Sequence, residues 1–396
     1  MFRTIKMKKN FLKKFFAALF ALGIANVMQA QYSQSTGQTN NYIHTGIPIL
    51  QISPDAVAGA LGDAGAAYEP NAYASHWNNA KIAFAQKEMS ITTTYTPWLR
   101  KLKVGDMNLF YLAGYYRIND RSAAAASLTY FTLGDIDNTD VEGNRIQTMH
   151  PNEFTFDVSY ALKLNDNLSL GATGRFLRSD LTNGQTISDG SSNTTTKAAN
   201  SLAADIGLYY QQAIDKTQDF ALGAFISNLG AKLSYSDDDN DKEFLPANLR
   251  IGGRYTNRID EYNKISVMLN LNKLLVPTPP LRDDTTGWVD YNQIGVIEGA
   301  LRSFGDAPGG LQEELQEIQI SAGAEYWYSE TFAVRAGYFF EHANKGGRQY
   351  ATVGVGIRYS YFTGDFSYLI PTTTISTNSL ANTIRVSIGL DMKPTK

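Results

Sequence analysis

The densest set of potential metal ligands is Asp237-Asp238-Asp239-Asn240-Asp241, and oxygen donors at alternate positions suit a calcium ion. The calcium-loop spacing is not kept. Lys242 stands where the tight-turn glycine belongs, and Asn248 where a bidentate glutamate would close the shell. The run reads as a solvated acidic loop. The four histidines (His44, His76, His150, His342) lie far apart and show no metal-ligand spacing. His76, next to Trp77, reads as a packed ring. His150 and His342 fall at loop–strand junctions, where no clear serine nucleophile or acid partner accompanies either. Gly354-Val355-Gly356 is a fragment of a strand and not a phosphate-binding loop. The 396 residues contain no cysteine, so neither thiolate chemistry nor a disulfide is available. No catalytic, cofactor or metal site is expected, and the chain is read as a non-enzyme.

The elements that would position any site begin after residue 30. Arg3, Lys6, Lys8, Lys9, Lys13 and Lys14 precede an apolar stretch from Phe15 to Val27, and Ala30 closes a cleavage site before Gln31. That is the pattern of a secretory signal over 1–30. The chain holds 35 Lys+Arg and 38 Asp+Glu; without the six bases of the signal, 29 bases face 38 acids, a net charge of −9. This excess of acid argues against nucleic acid as a partner. Past the signal no apolar run is long enough for a helical span, yet tyrosine (23), phenylalanine (20) and glycine (33) are abundant. An exported, aromatic- and glycine-rich chain that must span a membrane is left with strands.

Period-two alternation supplies them. In 382–391, Ile384, Val386, Ile388 and Leu390 alternate with Thr383, Arg385, Ser387 and Asp391. The former are expected to face lipid, and polar changes at Ser387 are expected to be mild. The pattern recurs at 153–164, 168–176, 202–211, 248–256, 264–272, 318–328, 332–340, 350–359 and 361–370. More aromatic versions sit at 89–98, 107–118, 121–133 and 218–229. Short polar joins (near 119, 165, 211–219, 257–262, 329–330 and 359–361) alternate with long links at 99–106, 134–150, 180–200, 230–247, 273–316, 341–349 and 371–380. That alternation belongs to an all-β, transmembrane antiparallel up-and-down barrel of about fourteen strands, with both termini on the short-turn, periplasmic side.

The polar face carries Glu153, Asp157, Arg175, Asp205, Arg250, Arg254, Glu325, Arg335, Asp365 and Arg385. Mixed signs point to ion-pair networks inside the lumen, because a selective pore often shows a ring of one sign. Residues 31–88 lack the alternation and are expected to form an N-terminal hatch or plug; 89–396 is the barrel. The longest link, 273–316, opens with Val276-Pro277-Thr278-Pro279-Pro280 and runs on through Tyr291 to Phe304. There Ile294, Ile297, Leu301 and Phe304 share one helical face, which either caps the barrel or docks a partner.

Three stretches make the chain recognisable as an ordered set: Asp55–Gly65 (DAVAGALGDAG), His76–Phe84 (HWNNAKIAF) and Tyr95–Arg100 (YTPWLR). With Gly114–Ile118 (GYYRI), Pro151–Phe154 (PNEF) and Arg178–Leu181 (RSDL), they resemble the PorV family of the Bacteroidota type IX secretion system. That family sits within the wider group of FadL-like barrels. The likeness runs from about residue 44 to the last strand. Asn78-Asn79-Ala80 departs from the Asn-Pro-Ala common in FadL-like transporters. The resemblance implies a hatch motif of Asp55, Gly59, Gly62, Asp63, Gly65, His76 and Trp77. It also implies an outer-membrane location and a shuttle function. Such a protein receives cargo by its C-terminal signal domain from the translocon barrel and delivers it to the surface sortase and attachment complex. Outer-membrane lipid is the remaining partner. Alternatives are a FadL-like channel for hydrophobic solutes, and lipopolysaccharide lipid A O-deacylation.

Overall fold

A computed structural model describes residues 42–98, 107–139, 145–182, 184, 186–188, 193–236, 242–280, 287, 291, 293–372 and 383–392. The signal over 1–30, the link 99–106 and the acidic run Asp237–Asp241 lie outside the described residues.

The first strands are β1 (Met89–Pro97), β2 (Met107–Arg117), β3 (Ser122–Leu133), β4 (Ile136–Thr139), β5 (Arg145–Met149), β6 (Asn152–Lys163) and β7 (Leu168–Asp180). There follow β8 (Thr186–Ser188), β9 (Asn193–Thr195), β10 (Ala199–Ala213), β11 (Gln218–Gly230), β12 (Leu233–Ser234), β13 (Lys242–Glu243) and β14 (Asn248–Arg258). The last are β15 (Asn263–Leu274), β16 (Gln319–Tyr328), β17 (Phe332–Phe340), β18 (Gln349–Tyr359), β19 (Phe362–Pro371) and β20 (Ile384–Met392). Fourteen of these close one antiparallel barrel in the order β1-β2-β3-β6-β7-β10-β11-β14-β15-β16-β17-β18-β19-β20. β20 returns to β1 with Met89 opposite Met392. Closure gives the wall no open edge, which hydrocarbon would penalise by several kcal/mol per unpaired group.

Alternation sets the two faces. On β20, Ile388 is 59% exposed and Val386 40%, while Arg385 and Ser387 are buried at 2% and 1%. Leu112, Val158, Ile206 and Ile251 likewise point outward. Among the described residues no helix is long and apolar enough to cross a membrane; the strands cross. The short turns have a common local cause. Asn119, Asn165, Asp215 and Asp260 each turn a side-chain oxygen back to accept two backbone amides two and three residues ahead, at 2.8–2.9 Å. A side chain that mimics a backbone turn fixes each reversal in a few residues. At Asp260, the Asn263 side chain and then the Tyr262 amide hold the carboxyl below its ordinary range.

The long links are less irregular than expected. Three of them carry small two-stranded hairpins, β4–β5, β8–β9 and β12–β13, above the barrel. The link 273–316 contains a helix over Val296–Arg302, shorter than the apolar face from 291 to 304, and a second helix over Leu311–Gln316 that periodicity did not reveal. Gly295 starts the first helix, so Ile294 precedes it.

Candidate functional site: the filled lumen and the long-loop rim

Residues 42–88 run inside the barrel and are buried for most of their length. Asp55 organises them. One carboxylate oxygen accepts from the amide of Ala58 at 2.8 Å, starting the short helix Ala56–Gly59. The other accepts from the indole Nε1 of Trp77 at 2.6 Å. The Trp77 ring lies over Gly65, where any Cβ would enter the indole. Lys81 reaches back to the Gly65 carbonyl at 2.8 Å, and the His76 and Trp77 rings meet edge to face at 4.8 Å. Asp55, Gly65, His76 and Trp77 thus form one unit. Gly59, Gly62 and Asp63 instead meet the wall. Gly59 lies against the Arg385 side chain, and Gly62, at φ 63°, lies on the backbone of Tyr338. Asp63 accepts from the Tyr350 hydroxyl at 2.5 Å.

The wall is shaped to receive this segment. Gly171 and Gly207 are paired across β7 and β10, and a Cβ on either would strike Asn79. Gly323 and Gly337 are paired across β16 and β17, where a Cβ would strike the Leu61 backbone. Side-chain hydrogen bonds complete the fit. Asn79 donates to Thr173 Oγ1 at 2.7 Å, Asn78 to the Leu208 carbonyl at 3.0 Å, and Arg250 to the His76 carbonyl at 2.7 Å. The Ala56 amide donates to Ser387 Oγ at 3.0 Å, and Ser387 also meets Thr94 at 2.7 Å. Ser387 is therefore an anchor, and the expectation that polar change there is mild is corrected. Asn78-Asn79-Ala80, read from sequence only as a departure from Asn-Pro-Ala, supplies two of these wall contacts. The signal that could have found them is glycine on the polar face of several strands, as at Gly171.

Ion pairs occupy the lumen beside this segment. Arg175 pairs with Asp157 at 2.6 Å and Asp205 at 3.0 Å; Arg335 pairs with Glu325 at 2.7 Å and Asp365 at 2.6 Å. All the acids and bases of these two sets came from the mixed-sign polar face. On the long-loop side of the N-terminal segment a cavity of about 620 Å³ opens. Ile49, Trp98, Met107 and Phe131 give it an apolar side; Asp63, Arg348 and Arg385 give it a charged one.

At the rim, the segment between β15 and β16 folds over the outside of the wall. Ala300 of the helix Val296–Arg302 packs with Ala247 and Leu275 against Ile226, Leu229 and Leu249. Ile297, Leu301 and Phe304 stay exposed, at 60%, 71% and 55%, and Ile294 is half-buried. Inside this segment burial raises the Asp306 carboxyl above its ordinary range, with the Thr278 amide opposing. Of the histidines singled out for chemistry, His150 Nδ1 meets Asp135 at 2.7 Å on an exposed hairpin. His342 Nδ1 accepts the Asn344 amide at 3.2 Å, which caps a turn. Among the described residues no cluster of three or more His, Asp or Glu is placed to hold a metal.

The family described as type IX secretion system protein PorV matches residues 35–281 of the chain. No curated protein matches it. Among solved structures it is similar to the P. putida toluene transporter TodX, at 10% identity and TM-score 0.49, over 86% of this chain and 99% of that one. The Ralstonia pickettii toluene transporter TbuX gives 13% identity and TM-score 0.49, over 86% and 98%. A Pseudomonas aeruginosa FadL homologue gives 11% and 0.43, over 89% and 100%.

Proposed function

Because the chain belongs to the PorV family of the type IX secretion system, we propose that this outer-membrane barrel is a cargo shuttle. It receives cargo by the C-terminal signal domain from the translocon barrel and hands it to the surface sortase and attachment complex. The observation that carries this reading is the filled lumen. A segment hydrogen-bonded to the wall on several sides, against glycines that leave no gap, suits a barrel that works through its rim. Residues 1–30 are the signal, 31–88 the hatch and 89–396 the barrel. The C-terminal strand ends on the short-turn side, taken as periplasmic, so the hairpins and the 273–316 segment face the exterior. The described N-terminal segment starts on that exterior side, where the Gly46 amide donates to the Phe244 carbonyl, and this corrects the expectation of a periplasmic start. The work is recognition and not catalysis.

Partner binding falls to the apolar residues Ile294, Ile297, Leu301 and Phe304, which stand on the side of the rim. A membrane-embedded partner such as the translocon barrel reaches them laterally. Deleting Tyr291–Phe304 is expected to leave the barrel folded by heat-modifiable gel mobility, yet to lower the translocon and cargo recovered per barrel. Undiminished recovery removes the docking role. A cysteine at Asp137, in a chain that has none, is expected to react with an impermeant maleimide on whole cells. A cysteine at Asn119 or Asn165 is expected not to. The cavity over the hatch favours a second reading, a channel for hydrophobic solutes. It predicts solute uptake that a bulky residue at Met107 blocks while secretion continues.

A further inference from the structure

The outer faces of β11, β14 and β15 carry the relevant geometry. Ile226 pairs with Leu249 across β11 and β14, and Leu249 with Lys273 across β14 and β15. By alternation all three stand on the lipid side of the wall. The helix Val296–Arg302 rests on this row through Ala300. Lys273, a cation in that row, is neutralised by Glu314 at 3.1 Å and Glu317 at 2.6 Å, and the Phe304 ring lies 5.9 Å from its ammonium. A cation so paired has been withdrawn from water.

One pleat below, on the same wall, Ile251 is 51% exposed and sits between Ala224 and Leu271. Two residues along a strand are roughly 7 Å, so the helix lies directly above the uncovered apolar band. Its own surface is divided. Ala300 meets the wall, and Gly299 and Ser303 are buried beside it, Gly299 against Pro277 and Phe244. Ile297 and Leu301, four apart, form an exposed apolar ridge, while Glu298 and Arg302 pair beside it. An apolar ridge flanked by a charged one is the pattern of a helix lying in a membrane interface.

We propose that the helix Val296–Arg302 is an in-plane foot whose Ile297 and Leu301, with the following Phe304, are seated in the lipid leaflet on the long-loop side. Continuity with the lipid-facing wall assigns lipid as the occupant of this face in the barrel alone. Water is the less favourable occupant, since three large apolar side chains would stand exposed together. The inference holds whether or not the chain carries cargo, and a lateral partner would displace this lipid.

The test uses the full-length barrel, carrying one cysteine at a time, in nanodiscs of phosphatidylcholine and phosphatidylglycerol. An environment-sensitive fluorophore is attached at Leu301→Cys, Phe304→Cys, Ile251→Cys or Glu298→Cys, with folding checked by gel mobility. The first two are expected to behave like Ile251→Cys: blue-shifted, quenched by lipids bearing a nitroxide near the headgroup, and protected from aqueous iodide. Glu298→Cys is expected to reverse the pattern. Iodide quenching at Leu301→Cys equal to that at Glu298→Cys, with no response to nitroxide lipid, overturns the proposal. So does protection that appears only in nanodiscs holding two barrels, which assigns the face to a second copy.

Discussion

The N-terminal segment and the link from 275 to 316 are of similar length, and neither contributes a strand to the barrel, yet they stand in opposite relation to the wall. The first is inside and anchored by Asp55, Asn78, Asn79 and the Ser387 hydroxyl, with its backbone against Gly171, Gly207, Gly323 and Gly337. The second is outside, held by Ala300 on two strands and by the Lys273 pairs, and it leaves Ile297, Leu301 and Phe304 uncovered. An internal segment that satisfies its polar groups on the wall becomes part of the fold. An external one that turns apolar residues away from the wall is open to lipid and to a lateral partner.

The sharpest way to break this contrast is to fill the glycine contact. Gly337→Val is expected to drive a side chain into Leu61 and Gly62 and to cost about 3 kcal/mol, the upper end for overpacking, read from urea unfolding in lipid vesicles. A near-neutral result means that the segment can retreat from the wall. Next in size, Val386→Arg should cost about 2–4 kcal/mol if Val386 lies near the bilayer midplane. Ser387→Ala, one residue along and on the inner face, leaves the buried Ala56 amide without its acceptor and should cost about 1–3 kcal/mol. Comparing the two in vesicles and in detergent separates them, since only the first depends on lipid. Smallest of all, Leu301→Ser, read in detergent where no leaflet receives the side chain, should change stability by less than about 0.5 kcal/mol while lowering partner recovery from solubilised membranes. A stability loss comparable to that of Ser387→Ala would make the outer segment as structural as the inner one.

The mixed-sign polar face showed that Arg175 and Arg335 would find acids in the lumen, because alternation places every second residue inside whatever the register. Which acid each would meet depends on strand pairing, which brings Asp157 opposite Arg175 and Glu325 opposite Arg335. Ser387 was misjudged for a related reason. Its inward face was readable from the alternation, but its role belongs to Ala56, 331 positions away in the chain.

By itself, then, the sequence determined the strand number, the two faces and the alternation of short and long connections. All follow from local periodicity and from turn residues such as Asn119 and Asp260. Only the tertiary structure decided that the N-terminal segment presses on paired glycines, and that the helix after Gly295 lies outside the rim on Ile226 and Leu249. Those outcomes depend on residues hundreds of positions apart meeting at one level of a closed wall. Local pattern carries no record of such distant meetings, because closure of the barrel brings them about.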